Sequence, residues 1–380
     1  MYNKKKRKYI FILLSFIFIL SLFILKKNLI NLMNNNSLDL NYNAHIFYYN
    51  WYANPEFDKS FRHWNHDVLP HWSDKSWDNL PSYDGYETIG SNFYPKLGTY
   101  SSNNPEIIKK HMEMISKAGI GTISVSWWGK NSFEDKNILS ILKIADLYNI
   151  KVNFHIEPFI NRTVLSTIGA IKYLIDKYGN HNAFYLHEGR PLFYIYDSYL
   201  IPKKDWATAL KTNGEISIRN THYDSVIIGL WVEEEDSLFF KESGFDGFYT
   251  YFASNGFTFG STSNNWKYLS EWADKNNKVF IPCVGPGYND ERVRPWNIKN
   301  FKDRENGIYY DRHFKKALLS NPEILGITSF NEWHEGTQIE PAIPKMNKDF
   351  TFENYQNNEP DYYLKRTKFW LKRFKNERNY

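Results

Sequence analysis

Two glutamates three residues apart, Glu332 and Glu335, stand in the run Asn331-Glu332-Trp333-His334-Glu335, and paired carboxyls can divide the work of breaking an acetal. One, kept protonated, gives its proton to the departing oxygen while the other acts from the opposite side of the carbon. Glutamates at this spacing also make an ordinary solvated helix face. Here they follow an apolar stretch, residues 324–330, and alternate with a tryptophan and a histidine. In such a setting burial raises one carboxyl toward neutrality and keeps it a proton donor. Glu157, in His155-Ile156-Glu157-Pro158, is a third carboxyl, open between bracing the floor of a site and touching a ligand. His63 and His66, with His71 nearby, have a spacing that could ligate zinc. With one cysteine and no His-Glu-x-x-His helix, they are read instead as shaping a loop, and no metal is expected. There is no Gly-x-Ser-x-Gly elbow, so serine hydrolysis has no support.

Positioning such groups requires a frame, and the apolar and aromatic runs supply one. Strand-length runs recur at residues 45–51, 122–128, 152–158, 191–197, 225–232, 247–252, 278–284 and 326–331, separated by segments of helical spacing. Ile108, Met112 and Ile115 fall on one helical face, as do Ile138, Ile141, Leu142 and Ala145, and Gly119 and Gly179 stop two of these segments. Alternating strands and helices argue for a parallel sheet with crossovers, and eight such units predict an α/β fold, a (β/α)8 TIM barrel. An open doubly wound sheet is the alternative, but no glycine-rich phosphate loop follows the first strand.

In a barrel, function gathers at the C-terminal ends of the strands. Those ends are rich in aromatics and carboxylates: Tyr49 and Trp51, Trp128, His155 and Glu157, Tyr196, Glu233 and Glu234, Tyr251, Tyr288, then Asn331 with the glutamate pair. Sugars suit that mixture, because their C–H faces stack on rings while their hydroxyls need carboxylate and amide partners. Aromatics form 18% of the chain, enough that many of them must also fill the barrel.

The N-terminus is of another kind. Lys4 to Lys8 precede an uncharged run from Tyr9 to Leu25 that ends at Lys26 and Lys27, at the short end of what spans a bilayer. No small-residue cleavage site follows it, so it is read as an uncleaved signal-anchor, a single N-terminal transmembrane helix, with a cleaved signal peptide as the alternative. The excess of basic residues before the span puts the N-terminus in the cytoplasm and the rest in the lumen. The expected order is a tail at 1–8, the anchor at 9–25, a stem at 26–43 and the barrel at 44–380. Triplets at Asn35 and Asn161 are candidate glycosylation sites. Seven of the 47 basic residues lie in the first 27 positions, which leaves 40 against 42 acidic ones. The lumenal part therefore lacks the basic footprint of a nucleic-acid binder. Cys283 is the lone cysteine and excludes an intramolecular disulfide framework.

From residue 45 to beyond 370 the chain resembles the endo-α-1,2-mannosidases of glycoside hydrolase family 99. The matching stretches include His45-Ile46-Phe47-Tyr48-Tyr49-Asn50-Trp51-Tyr52, His63-Trp64-Asn65-His66, His155-Ile156-Glu157-Pro158, Val284-Gly285-Pro286-Gly287-Tyr288, Arg294-Pro295-Trp296-Asn297 and the run 329–340. The resemblance implies a (β/α)8 barrel that cleaves inside glucosylated high-mannose N-glycans on glycoproteins and retains configuration. By that likeness Glu332 takes the proton of the substrate's own 2-hydroxyl, whose oxygen closes a 1,2-anhydro sugar while Glu335 protonates the leaving group. Glu335 then serves as base when water reopens the ring. Tyr49, Trp51, Trp128, His155, Glu157, Tyr196, Tyr251, Tyr288, Arg294 and Asn331 are expected around the sugar. At the position of Trp128 vertebrate members carry Tyr and mannan-directed bacterial members Trp, so the preference of the distal subsite, glucose or mannose, stays open. The likeness further implies a type II Golgi membrane protein without a cofactor, and a monomer is expected. Two rival readings are a membrane-tethered glycan-binding protein that does not cleave, and an endo-enzyme acting on mannan-like polymers.

Overall fold

A computed structural model describes residues 39–71, 81–348 and 350–377. The expected anchor at 9–25, the stem up to residue 38 and the Asn35 triplet lie outside these residues. Among the described residues no helix is long and apolar enough to cross a membrane.

The frame is a ring of parallel strands, each followed by a helix. The strands are β1 (Asn41–Tyr48), β2 (Ile120–Trp127), β3 (Lys151–Ile156), β4 (Arg190–Ile195), β5 (Val226–Leu230), β6 (Gly247–Tyr249), β7 (Val279–Ile281 and Cys283–Val284) and β8 (Leu325–Ile327). The helices are α1 (Pro105–Lys117), α2 (Phe133–Leu147), α3 (Val164–Tyr178), α4 (Lys203–Leu210), α5 (Asp236–Ser243), α6 (Trp266–Lys275), α7 (Ile308–Leu319) and α8 (Tyr362–Glu377). Each strand pairs with its neighbours in sequence, and β1 pairs with β8 through Ala44↔Leu325 and Ile46↔Ile327. The two halves of β7 sit at opposite ends of the pairing order, one on β6 and one on β8. Pro282, which has no N–H to give to a ladder, lies between them, so the chain itself closes the ring. Cys283 faces Gly326 across that seam, where an added Cβ would sit 2.4 Å from the thiol, so glycine is required there.

Local sequence explains the elements. All eight residues of β2 are buried, as a strand covered on both faces demands. Helix α1 starts at Pro105 behind an Asn104 cap and buries Ile108, Met112 and Ile115. Helix α2 starts behind Ser132 and buries Ile138, Ile141, Leu142 and Ala145. Thr163 and Ser166 form a reciprocal capping box on α3. Inside the ring, Phe47 packs against His155, Tyr194, Tyr249 and Tyr251 at centroid separations of 4.9–5.8 Å, so part of the aromatic wealth is indeed barrel filling.

The expected strands overrun at their C-terminal ends. Tyr49–Trp51, Thr250–Phe252 and Thr328–Asn331 leave the ladder and turn into the mouth of the barrel. The mouth is covered by two long excursions, after β1 and after β8, knit together where Tyr94–Pro95 pairs antiparallel with Ala342–Ile343.

Candidate active site

The glutamate pair is set on a tightly tied loop. After β8, Ser329 Oγ accepts the Glu332 N–H at 2.8 Å, and the Ser329 N–H is held by the Thr337 carbonyl at 2.9 Å. Asn331 is fully buried, and its side chain bonds both backbone groups of Tyr49, accepting at 2.7 Å and donating at 2.8 Å. The amide thus fuses the ends of the first and last strands. Beneath lies a buried network: Glu340 accepts from Tyr100 at 2.7 Å and from the Trp333 indole at 3.2 Å, and faces His111 Nε2 at 3.2 Å.

Glu332 and Glu335 open into one cavity of about 150 Å³, lined also by Tyr49, Trp51, Trp128, His155, Glu157, Tyr196, Tyr251 and Arg294. Ten of the twelve expected site residues therefore meet there. Asn331 does not line it, being committed to Tyr49. Nor does Tyr288, whose hydroxyl goes to Asp290 at 2.8 Å and which lines a larger cavity of about 450 Å³. That larger cavity holds no pair of carboxyls raised like these and is not the centre of the chemistry.

Three features define the electrostatics. Burial pushes both Glu332 and Glu335 up, to about 8, against the pull of Arg294, and each is raised further by neighbouring carboxylates, Glu157 among them. The two titrate as a coupled pair, ionisation of Glu332 raising Glu335. Arg294 lies 3.5 Å from Glu335 and 3.3 Å from Asp290. Although burial opposes its charge, Glu335 and its other neighbours raise it above its ordinary value. Glu332 Oε1 accepts the His334 N–H at 3.2 Å, whereas Oε2 is buried without a partner among the described residues. A buried carboxylate oxygen left bare is costly.

The walls are equally tied. Glu157 accepts from Ser126 at 2.8 Å and meets His155 Nδ1 at 2.9 Å, while the Trp128 indole donates to Ser126 at 3.1 Å. Tyr49 and Tyr251 share a short hydroxyl contact. Trp51 is stacked on His63, centroids 4.4 Å apart. Of the histidines weighed as ligands, His66 lines the cavity, His63 backs Trp51 and His71 packs on Trp296. Among the described residues no group of three or more His, Cys, Asp or Glu is placed to hold a metal ion. Asn161 is exposed at the start of the α3 cap. His334, Leu69 and Val293 complete the lining; Leu69 and Val293 escaped the sequence reading because no residue type marks an apolar wall. They meet through the Leu69 N–H and the Val293 carbonyl at 2.8 Å.

Two raised carboxyls in an aromatic-walled cleft at the C-terminal mouth of a (β/α)8 barrel define a glycoside hydrolase. Residues 39–376 match glycosyl hydrolase family 99, and the chain belongs to that family. A glycoprotein endo-alpha-1,2-mannosidase of Xenopus laevis is 47% identical over 353 residues, 90% of this chain and 79% of that protein. A glycoprotein endo-alpha-1,2-mannosidase-like protein of Homo sapiens is 45% identical over 355 residues, 90% of this chain and 78% of that one. The solved GH99 endo-alpha-mannosidase from Bacteroides thetaiotaomicron is 48% identical with a TM-score of 0.87, over 89% of this chain and 99% of that chain.

Proposed function

We propose that this protein is a retaining endo-α-1,2-mannosidase that cuts an internal α-1,2-mannosidic bond in glucosylated high-mannose N-glycans and releases a glucosyl-mannose oligosaccharide. The names of its relatives support the bond and the endo mode. The observation that carries the chemistry is the convergence of Glu332 and Glu335 on one cavity, with Glu332 Oε2 bare.

In this reading the bare oxygen of Glu332 takes the proton of the mannose 2-hydroxyl. The freed oxygen attacks the anomeric carbon, the glycosidic bond breaks, and Glu335 delivers its proton to the departing oxygen. Water then opens the 1,2-anhydro ring at the anomeric carbon. Glu335 accepts the water's proton and Glu332 returns its own to the 2-oxygen. Glu335 alternates between acid and base, and its surroundings suit both forms: burial favours the protonated one and Arg294 the ionised one. Trp128 and Trp51 supply stacking faces, Glu157, Tyr196 and Tyr251 meet hydroxyls, and Asn331 and Tyr288 act by holding the loops. The expected setting is the Golgi lumen, with residues 9–25 as anchor and the protein a monomer.

The test is to incubate the purified protein with a glucosylated high-mannose glycan and size the sugar released. An oligosaccharide of retained configuration is expected. Single monosaccharides would rule out the endo assignment, and tight binding without cleavage would favour a glycan receptor. A glucose-capped and a mannose-capped substrate run side by side assign the distal subsite at Trp128.

A further inference from the structure

Behind the catalytic loop lies a cation without an ion-pair partner. Arg304 is 4% exposed, and among the described residues no carboxylate comes within ion-pair reach of it. Its guanidinium carbon sits 4.7 Å from the ring centroid of Phe93 and 4.6 Å from those of Tyr355 and Tyr363. Nε and Nη1 have no hydrogen-bond partner among the described residues. The remaining nitrogen, Nη2, donates to the carbonyls of Gly336 at 2.9 Å and Gln338 at 2.8 Å. These are the residues one and three beyond Glu335.

Burying a guanidinium is costly unless something answers the charge. Three ring faces offset part of that cost, two carbonyl dipoles offset more, and the Glu353 carboxylate feels its charge from beyond ion-pair distance. A hydrocarbon would fill the same aromatic cage at no such cost, so packing alone does not call for arginine. What arginine adds is a fixed donor at the rear of one turn. The Tyr355 hydroxyl also reaches the Gln338 carbonyl, at 3.3 Å, but the Gly336 carbonyl, next to Glu335, is held by Arg304. The front of the turn is held by the Asn289 N–H on the Glu335 carbonyl at 2.8 Å, and Gly336 takes a φ of +61° with Asn289 packed against the space where a side chain would begin.

We propose that Arg304 is a positioning residue for Glu335: by gripping the Gly336 and Gln338 carbonyls from behind, it fixes the turn that aims the Glu335 carboxyl at the departing oxygen. This rests on Glu335 being the proton donor. Arg304 does not touch the cleft. It acts through the backbone, so its loss displaces the acid while leaving the sugar-binding walls in place. Misplacement of a catalytic group by about 1 Å costs up to about 100-fold in rate.

The experiment compares kcat/KM of wild type, Arg304→Met, Arg304→Lys and Glu335→Gln on two substrates: the natural glycan, whose alkoxide needs a proton to leave, and the same sugar carrying dinitrophenolate, which does not. Arg304→Met should lose about 10- to 100-fold on the glycan and less than about threefold on the dinitrophenyl sugar. Arg304 lines the 450 Å³ cavity behind the loop, so free guanidinium has a way in and should restore part of the glycan rate in Arg304→Ala. Equal losses on both substrates, or no rescue in a folded Arg304→Ala, would show a merely structural role and overturn the proposal. Should the Met and Ala variants fail to fold, Arg304→Lys decides. Its shorter ammonium cannot hold both carbonyls as the planar group does, and wild-type rates on both substrates would overturn the proposal. A Glu335→Gln variant that still cleaves the glycan at full rate would remove the proton-donor assignment itself, a different failure from an inert Arg304.

Discussion

Two charged clusters sit at opposite ends of the strands, and they are built by opposite rules. At the N-terminal ends, Arg219 uses every guanidinium nitrogen: Nε goes to Leu210, Nη1 to Asp224 and the Ser225 carbonyl, Nη2 to the Gly244 carbonyl and Asp246, all at 2.7–3.0 Å. Arg190 adds a second cation 3.4 Å from Asp246 and 3.5 Å from Asp224. Burial works against ionising Asp224, but the Asn220 N–H and Arg219 outweigh it and hold that carboxyl below its ordinary value. At the C-terminal mouth, Glu157, Glu332 and Glu335 share one cavity with Arg294, and the glutamate pair is raised to about 8. Balanced charge with full hydrogen bonding holds a fold together. Unbalanced charge with a bare acceptor stores reactivity, because a substrate is what completes it.

The comparison breaks first at the glutamates. Glu332→Gln and Glu335→Gln should each cut kcat/KM on the glycan by at least about 10²–10⁴-fold, while thermal unfolding stays at or above the wild-type temperature, since each change removes an acid whose burial outweighs the pull of Arg294. A variant that kept its activity but melted early would place these residues with the structural cluster. The mirror experiment is Arg219→Met. Leaving Asp224 and Asp246 without their main partner should cost on the order of 3 kcal/mol in urea unfolding, with kcat/KM of the folded protein unchanged. If activity fell before stability did, the two ends would not be separable.

Arg294 tests the middle ground, being the cation facing both glutamates. Arg294→Met removes the pull that lowers both carboxyls, so each should titrate higher. Because Glu332 must be ionised to act as base, the acidic limb of the kcat/KM profile should move to higher pH and the rate at pH 7 should drop about tenfold or more. A loss of rate with an unmoved limb would assign Arg294 to sugar binding alone.

How much of this was legible depends on what marks a residue. The strands were readable, since a strand buried on both faces is written as a run such as that of β2, and α1 and α2 buried the residues their spacing marked. The overruns at Tyr49–Trp51, Thr250–Phe252 and Thr328–Asn331 have one cause. Aromatic and branched residues read as strand whether they pair in a ladder or turn into a cleft, and here they turn. The glutamate pair was legible because its chemistry is written in two side chains three positions apart. Asn331 is expected around the sugar; that its amide pairs with both backbone groups of Tyr49 is a use that residue type cannot announce. Arg304 and Glu340 were invisible for a related reason: their partners are main-chain carbonyls, ring faces and residues such as Tyr100 and Trp333, brought close only by the fold.

The smallest expected effect separates the two clusters by the sign of their pH dependence. The folded glutamate pair is raised above the value near 4.5 that the unfolded chain has. Below about pH 4.5 both states hold these protons and nothing is gained or lost. As pH rises from there toward about 8, the unfolded chain releases protons that the native chain keeps, so the native state loses relative stability over that window. The Asp224 cluster runs the other way: its carboxyl is lowered, its contribution is present above pH 3.8 and fades as the pH falls through the folded value. The melting temperature of wild type minus that of Glu335→Gln should therefore decline between pH 5 and pH 8 by on the order of 2 °C and level off above. The difference between wild type and Arg219→Met should be flat across that range and shrink only in acid. A wild-type minus Glu335→Gln difference that stayed constant from pH 5 to 8 would mean that the mouth, too, is electrostatically balanced, and the contrast between the two ends would be lost.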